Sequence, residues 1–128
     1  MKYLLDTHLL LWAIADDPRF PARVRSLLAE SGAEACFSAA SVWEVAIKNG
    51  LPRRSLGIPA DAFRRECLAA GFRELPVSAR HAAAVESLPH RHEDPFDRLL
   101  LAQSIEEDCT LLTHDTLLPS YGPPVRHV

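Results

Sequence analysis

The sequence predicts a three-layer α/β/α fold around a central, mostly parallel sheet. Two observations carry that expectation. Short apolar runs alternate with stretches of helical periodicity along the chain, and strands separated by helices pair in parallel beneath helical layers. The 128 residues contain no repeat, low-complexity tract or dividing linker, so residues 1–128 are read as a single domain able to bury a core.

Taken in order, "KYLL" (2–5) reads as a strand and "HLLLWAIA" (8–15) as the helix after it. A second helix covers "PARVRSLLAES" (21–31). "EACFS" (34–38) is a strand leading into the helix "SVWEVAIKNG" (41–50). "PADAFRRECLAAG" (59–71) is helical, its Ala/Leu-rich middle being core or an association face; "FRELPVS" (72–78) holds a strand, and "ARHAAAVESL" (79–88) is helical again. Near "HEDPFDRLLLAQS", Asp94 suits an N-cap and Pro95 the first turn, where its missing N–H is not needed. Asp97 then lies at the positive end of the helix dipole, but also on the face of Leu100, Leu101 and Ser104. That face is apolar, and a buried carboxylate needs a partner. Arg98 points about 100° away round the helix and is not an obvious one. "CTLLT" (109–113) is the next strand and the last lies near "PVRHV" (124–128).

Net charge is −3, which advertises neither nucleic acid nor anionic lipid. Cys36, Cys67 and Cys109 are widely spaced and odd in number, and read as buried, reduced thiols of a cytoplasmic protein. "MKYLLDTHLLLWAIA" has the look of a signal peptide, but Asp6 and His8 interrupt it and its apolar stretches are too short to span a membrane. The expectation is a soluble, cytoplasmic protein.

In parallel sheets of this kind, ligands bind beyond the carboxyl ends of the strands. Asp6 directly follows the first strand, Asp115 follows "CTLLT", and Glu44 lies early in the helix after "EACFS". Asp97 starts the helix that leads into the Asp115 strand. Each has a structural reading of its own: Asp6 and Asp115 as caps or turn residues, Glu44 in a capping box with Ser41 or paired with Lys48. Those readings do not predict that all four acids meet at one sheet edge. Two carboxylates about 5 Å apart repel by roughly 3 kcal/mol at an effective dielectric near 20, so such a cluster takes up protons or binds a cation. Carboxylate oxygens suit Mg²⁺ or Mn²⁺, and acids holding such an ion hydrolyse phosphodiesters by acidifying the attacking water and neutralising phosphate charge.

"LLDTHLLLW", "SAASVWEVAIKNG", "HEDPFDRLLLAQS" and "LLTHD" together resemble a PIN domain, specifically the VapC-type ribonuclease toxins of bacterial toxin–antitoxin pairs, over nearly the whole chain. The resemblance implies a PIN-like α/β/α fold, Mg²⁺ or Mn²⁺ at an acidic site, and endonucleolytic RNA cleavage. It places the family's acids on Asp6, Glu44, Asp97 and Asp115, with Asp94 at the rim. It also implies a homodimer and an antitoxin that covers the site. On this reading Asp6 and Asp97 are the main ligands, direct or through water, and Glu44 and Asp115 complete the site. Thr7, Ser41 and Thr113 are candidate hydroxyl donors to the acids or plain cap and turn hydroxyls. Arg98 is a candidate for substrate phosphate or for a neighbouring acid. Lys48, Arg53 and Arg54 form a small basic cluster suited to RNA backbone or to solvent. His90 and His92 read as a solvated turn, His8 as near the site or the start of a helix, and Trp12 and Trp43 as core. Rival classes are a receiver-type domain, which would want an adjacent acidic pair where "LLDTH" offers one acid, a PIN-like binding module without catalysis, and a metal-dependent phosphatase or DNA nuclease.

Overall fold

The computed structural model describes residues 1–128. Strand β1 (Lys2–Leu5) leads into helix α1 (Thr7–Ile14) and then α2 (Ala22–Leu28). Next come β2 (Glu34–Ser38), α3 (Ala39–Asn49), α4 (Ala60–Ala69), β3 (Arg73–Leu75) and α5 (Ala79–Ala84). After a short 3₁₀ turn the chain forms α6 (Pro95–Glu106), β4 (Thr110–Thr113), a second 3₁₀ turn and β5 (Val125–His127). The five strands make one sheet in the order β3-β2-β1-β4-β5, and every pairing is parallel. The direction of winding reverses at β1, so the crevice beyond the carboxyl ends of β1 and β4 is the place this architecture offers a ligand.

Strand alternation divides the core into the two layers beneath the helices. Leu4 stands opposite Cys36 and Leu111, and these three pack with Leu100 and Leu101 of α6. Tyr3, Leu5, Phe37 and Leu112 turn to the other face, against Leu9 and Leu10 of α1, Val24 of α2 and Phe63 of α4. Leu100, Leu101 and Ser104 are all buried, as the spacing of α6 requires. The three cysteines are free and buried. No helix is long and apolar enough to cross a membrane.

Three local expectations need correction. Helix α3 begins at Ala39, not 41, because Ser38 ends β2 in an extended conformation and caps the helix itself, accepting from Ala40 N at 2.9 Å. Strand passes to helix with no loop, so Ser41 is no cap and sits wholly buried on the inner face with Glu44. Trp43 is not core: it is 56% exposed, because the buried positions of α3 are Ala40, Ser41, Glu44 and Val45 and residue 43 lies on the far side. Its ring rests edge-on against Phe96, centroids 5.2 Å apart. Helix α4 turns Phe63 and Cys67 inward, both fully buried, while its Leu68 is exposed.

Candidate metal centre

The topology brings the four acids to one cavity of about 320 Å³, lined also by Thr7, His8, Trp12, Lys48, His92, Asp94 and His114. Asp6 arrives as the residue after β1. It caps α1, its Oδ1 accepting from Leu9 N at 2.9 Å. Its Oδ2 accepts from the Thr113 hydroxyl at 2.6 Å and from His114 N at 3.2 Å. The cap reading and the site reading of Asp6 are thus both true of one side chain: the cap fixes the orientation of a carboxylate that faces the cavity. Burial pushes the Asp6 carboxyl up in pKa, while the bonds from Thr113, Leu9 and His114 and the nearby His8 pull it down.

Glu44 is 4% exposed and held from two sides. Thr7 Oγ1 donates to its Oε1 at 2.6 Å, with Ser41 Oγ 2.9 Å from the same hydroxyl. Lys48, one helical turn on, binds Oε2. Lys48 therefore belongs to the cavity as the counter-charge of Glu44, and not to an open basic patch with Arg53 and Arg54, which are exposed and lie outside it. Asp115 Oδ2 accepts from Leu117 N and Leu118 N, both at 2.8 Å, which leaves Oδ1 uncommitted. Asp94 caps α6, its Oδ1 accepting from Phe96 N and Asp97 N at 2.9 and 3.2 Å.

Asp97 is different. No backbone amide or hydroxyl donates to its carboxylate, and its side chain is 19% exposed. Burial, then the charges of Asp94, Asp6, Glu44 and Asp115, push its pKa up to about 8. The acid at the mouth of α6 is the one for which the protein supplies least compensation.

Two expectations about neighbouring residues are overturned. Arg98 holds none of the acids. Its guanidinium donates to the carbonyls of Pro89 and Val85 and to the Tyr121 hydroxyl, each at 3.2 Å, because one step along the helix turns it away from the Asp97 face. It ties down the segment before α6. His92 is not in a solvated turn. Its side chain is 11% exposed, and Nε2 lies 3.1 Å from Asp97 Oδ2 and 3.4 Å from Asp115 Oδ2. Periodicity carries no information about a residue in an irregular loop, and its nearness in sequence to Asp94 and Asp97 is the one signal that could have found it. His90, two residues earlier, is exposed. His8, Trp12 and His114 form further cavity wall, Trp12 standing edge-on to His114 at 5.2 Å.

The donor set fits a hard divalent cation. Five carboxylates line one cavity, Lys48 is bound to one of them, and free oxygen lone pairs remain on Asp97, on Asp115 Oδ1 and on the oxygens of Asp6 and Glu44 that accept a single hydrogen bond.

The sequence profile of the PIN domain matches residues 3–122. The chain is 32% identical over 122 residues to ribonuclease VapC22 of Mycobacterium tuberculosis, covering 94% of this chain and 92% of that protein. Among solved structures it is similar to VapBC2 of Rickettsia felis bound to a promoter DNA fragment, with a TM-score of 0.71 at 17% identity over 100% of this chain and 99% of that one. FitAcB of Neisseria gonorrhoeae superposes with a TM-score of 0.61 at 21% identity, covering 98% and 95%. A toxin–antitoxin complex from Klebsiella pneumoniae gives 0.63 at 19%, covering 97% and 95%.

Proposed function

The chain belongs to the PIN-domain family, and from that premise we propose that it is a Mg²⁺- or Mn²⁺-dependent endoribonuclease acting as a VapC-type toxin. The observation that carries the proposal is the convergence of Asp6, Glu44, Asp97 and Asp115 on one cavity with a single lysine among them. The 32% identity to a ribonuclease supports RNA as the substrate class.

When bound, the divalent ion acidifies the attacking water and neutralises charge developing on the phosphate. The chain's own residues prepare that chemistry. Asp97 and Asp115 offer the least committed oxygens and Asp6 one further lone pair, held in orientation by Leu9, Thr113 and His114. Thr7 and Lys48 fix both oxygens of Glu44, so that this carboxylate cannot swing away from the cavity. Such preorganisation is what lets fixed charges act on a transition state without reorganising. Arg53 and Arg54, exposed and free of ion pairs, are assigned to the RNA backbone. Homodimerisation and neutralisation by an antitoxin protein complete the proposal. Sedimentation of the purified chain tests the first, and co-purification with the product of a neighbouring reading frame tests the second.

The deciding experiment is cleavage of a varied RNA panel by antitoxin-free protein with Mg²⁺, with Mn²⁺ and with chelator, beside Asp6→Asn. Cleavage that needs the ion and vanishes in the variant is the expected result. Preferential hydrolysis of DNA or of a phosphomonoester would move the chemistry to another substrate, and ion-independent RNA cleavage would remove the acids from it.

A further inference from the structure

His92 is the cavity residue whose arrangement the four-carboxylate reading leaves unexplained. Nε2 is buried and has no hydrogen-bond partner, although Asp97 Oδ2 and Asp115 Oδ2 stand only 3.1 and 3.4 Å away. The contacts have hydrogen-bond length without hydrogen-bond direction. Asp115 Oδ2 has moreover already accepted two backbone N–H groups, which fills its two lone pairs. A buried polar atom left in this state costs free energy, so its position calls for a partner that is neither oxygen.

Adjacent ligands on an octahedral ion with bonds near 2.1 Å stand about 3 Å apart. The separation from His92 Nε2 to Asp97 Oδ2 is of that size, Asp115 keeps its Oδ1 uncommitted, and one ligand atom from each of His92, Asp97 and Asp115 lies within 4.8 Å of the other two. We propose that His92 Nε2 is a nitrogen ligand of the divalent ion, beside Asp97 and Asp115, making the centre a mixed oxygen–nitrogen site that favours Mn²⁺ over Mg²⁺. The ion preference follows from ligand type, since imidazole suits transition metals and Mg²⁺ prefers all-oxygen surroundings. The other ring nitrogen, Nδ1, lies 3.3 Å from Asp94 N. Binding through Nε2 puts the ring proton on Nδ1 and ends that long contact. The inference rests on the metal-dependent reading of the same cavity.

The test is pulsed EPR on the full chain loaded with Mn²⁺, where a coordinated imidazole gives ¹⁴N modulation of the electron spin echo. The expected result is ¹⁴N modulation in the unaltered protein, a shift to ¹⁵N frequencies when histidine alone is ¹⁵N-labelled, and loss of the signal in His92→Ala. Mn²⁺ affinity should fall roughly tenfold or more in that variant, Mg²⁺ affinity less. Circular dichroism checks its fold. Should it fail to fold, His8→Ala and His114→Ala must each retain the signal, which assigns it to His92 by elimination. Bound Mn²⁺ without nitrogen modulation, or modulation that persists in folded His92→Ala, overturns the proposal and leaves the carboxylate centre standing. Absence of any Mn²⁺ binding overturns both together.

Discussion

Replacing Asp97 by asparagine should make the metal-free protein more stable while abolishing cleavage. The carboxyl titrates near 3.8 in an unfolded chain and near 8 in the folded one. A folded pKa above the unfolded value means that its contribution is fully present below pH 3.8 and is lost as pH rises toward 8. At pH 7 the folded state retains a proton that the unfolded state releases, a span of about three pH units at about 1.4 kcal/mol each, or roughly 4 kcal/mol lost relative to acid. Asparagine has the shape of the protonated acid and escapes this loss. For a chain of this size 1 kcal/mol moves the melting temperature by roughly 4 °C, so the gain at pH 7 is about 15 °C. It should shrink to about 2 kcal/mol at pH 5, where the unfolded acid is only a little more than one unit past its pKa. The assay is urea or thermal unfolding of both proteins in chelator at pH 5, 7 and 8, repeated with Mg²⁺ or Mn²⁺. Added ion should stabilise the unaltered protein more than the variant and close part of the gap. A variant no more stable than the parent at pH 7 in chelator, or a gap that does not narrow toward pH 5, would refute the reasoning.

Three further perturbations separate the parts of the site. Thr113→Val keeps the volume of a fully buried residue but removes the hydroxyl bound to Asp6 Oδ2, so metal affinity or cleavage rate should fall about 10–100-fold with the fold intact by circular dichroism. Lys48→Met strips Glu44 of its counter-charge, and should cost roughly 2 kcal/mol in chelator while tightening Mn²⁺ binding in calorimetry; weaker binding would mean that the lysine helps to hold the ion site. Arg98→Ala releases the carbonyls of Pro89 and Val85, and should lower unfolding free energy by about 2 kcal/mol with kcat unchanged at a temperature where the variant remains folded.

The layered fold was legible in the sequence because the three central strands carry apolar residues for both faces and helix α6 a clear stripe in Leu100, Leu101 and Ser104. The meeting of the four acids was legible for a related reason. Parallel strands share one carboxyl edge, so an acid just after a strand, such as Asp6 or Asp115, has only one region in which to lie. What the sequence hid lies in side-chain direction outside regular structure or at its ends. Trp43 looks like core beside Val42 and Val45 until the inner face of α3 is known to be Ala40, Ser41, Glu44 and Val45, which leaves residue 43 on the outer side. Lys48 reads equally well as surface cation or partner of Glu44, and only the burial of Glu44 decides between them. His92 has no period to follow at all.

The middle of the sheet is also the place where segments far apart in the chain meet. Strand β4 pairs directly with β1, and Thr113 and His114 close on Asp6, 107 and 108 positions away. Asp115 follows the other three acids in the sequence. A ribosome making this protein therefore holds a chain that possesses Asp6, Glu44 and Asp97 but no centre, because the strand that brings the last acid beside the first has yet to be made. On the proposed reading, the order of synthesis itself delays the harm: the four acids can meet only after residue 115 has been made.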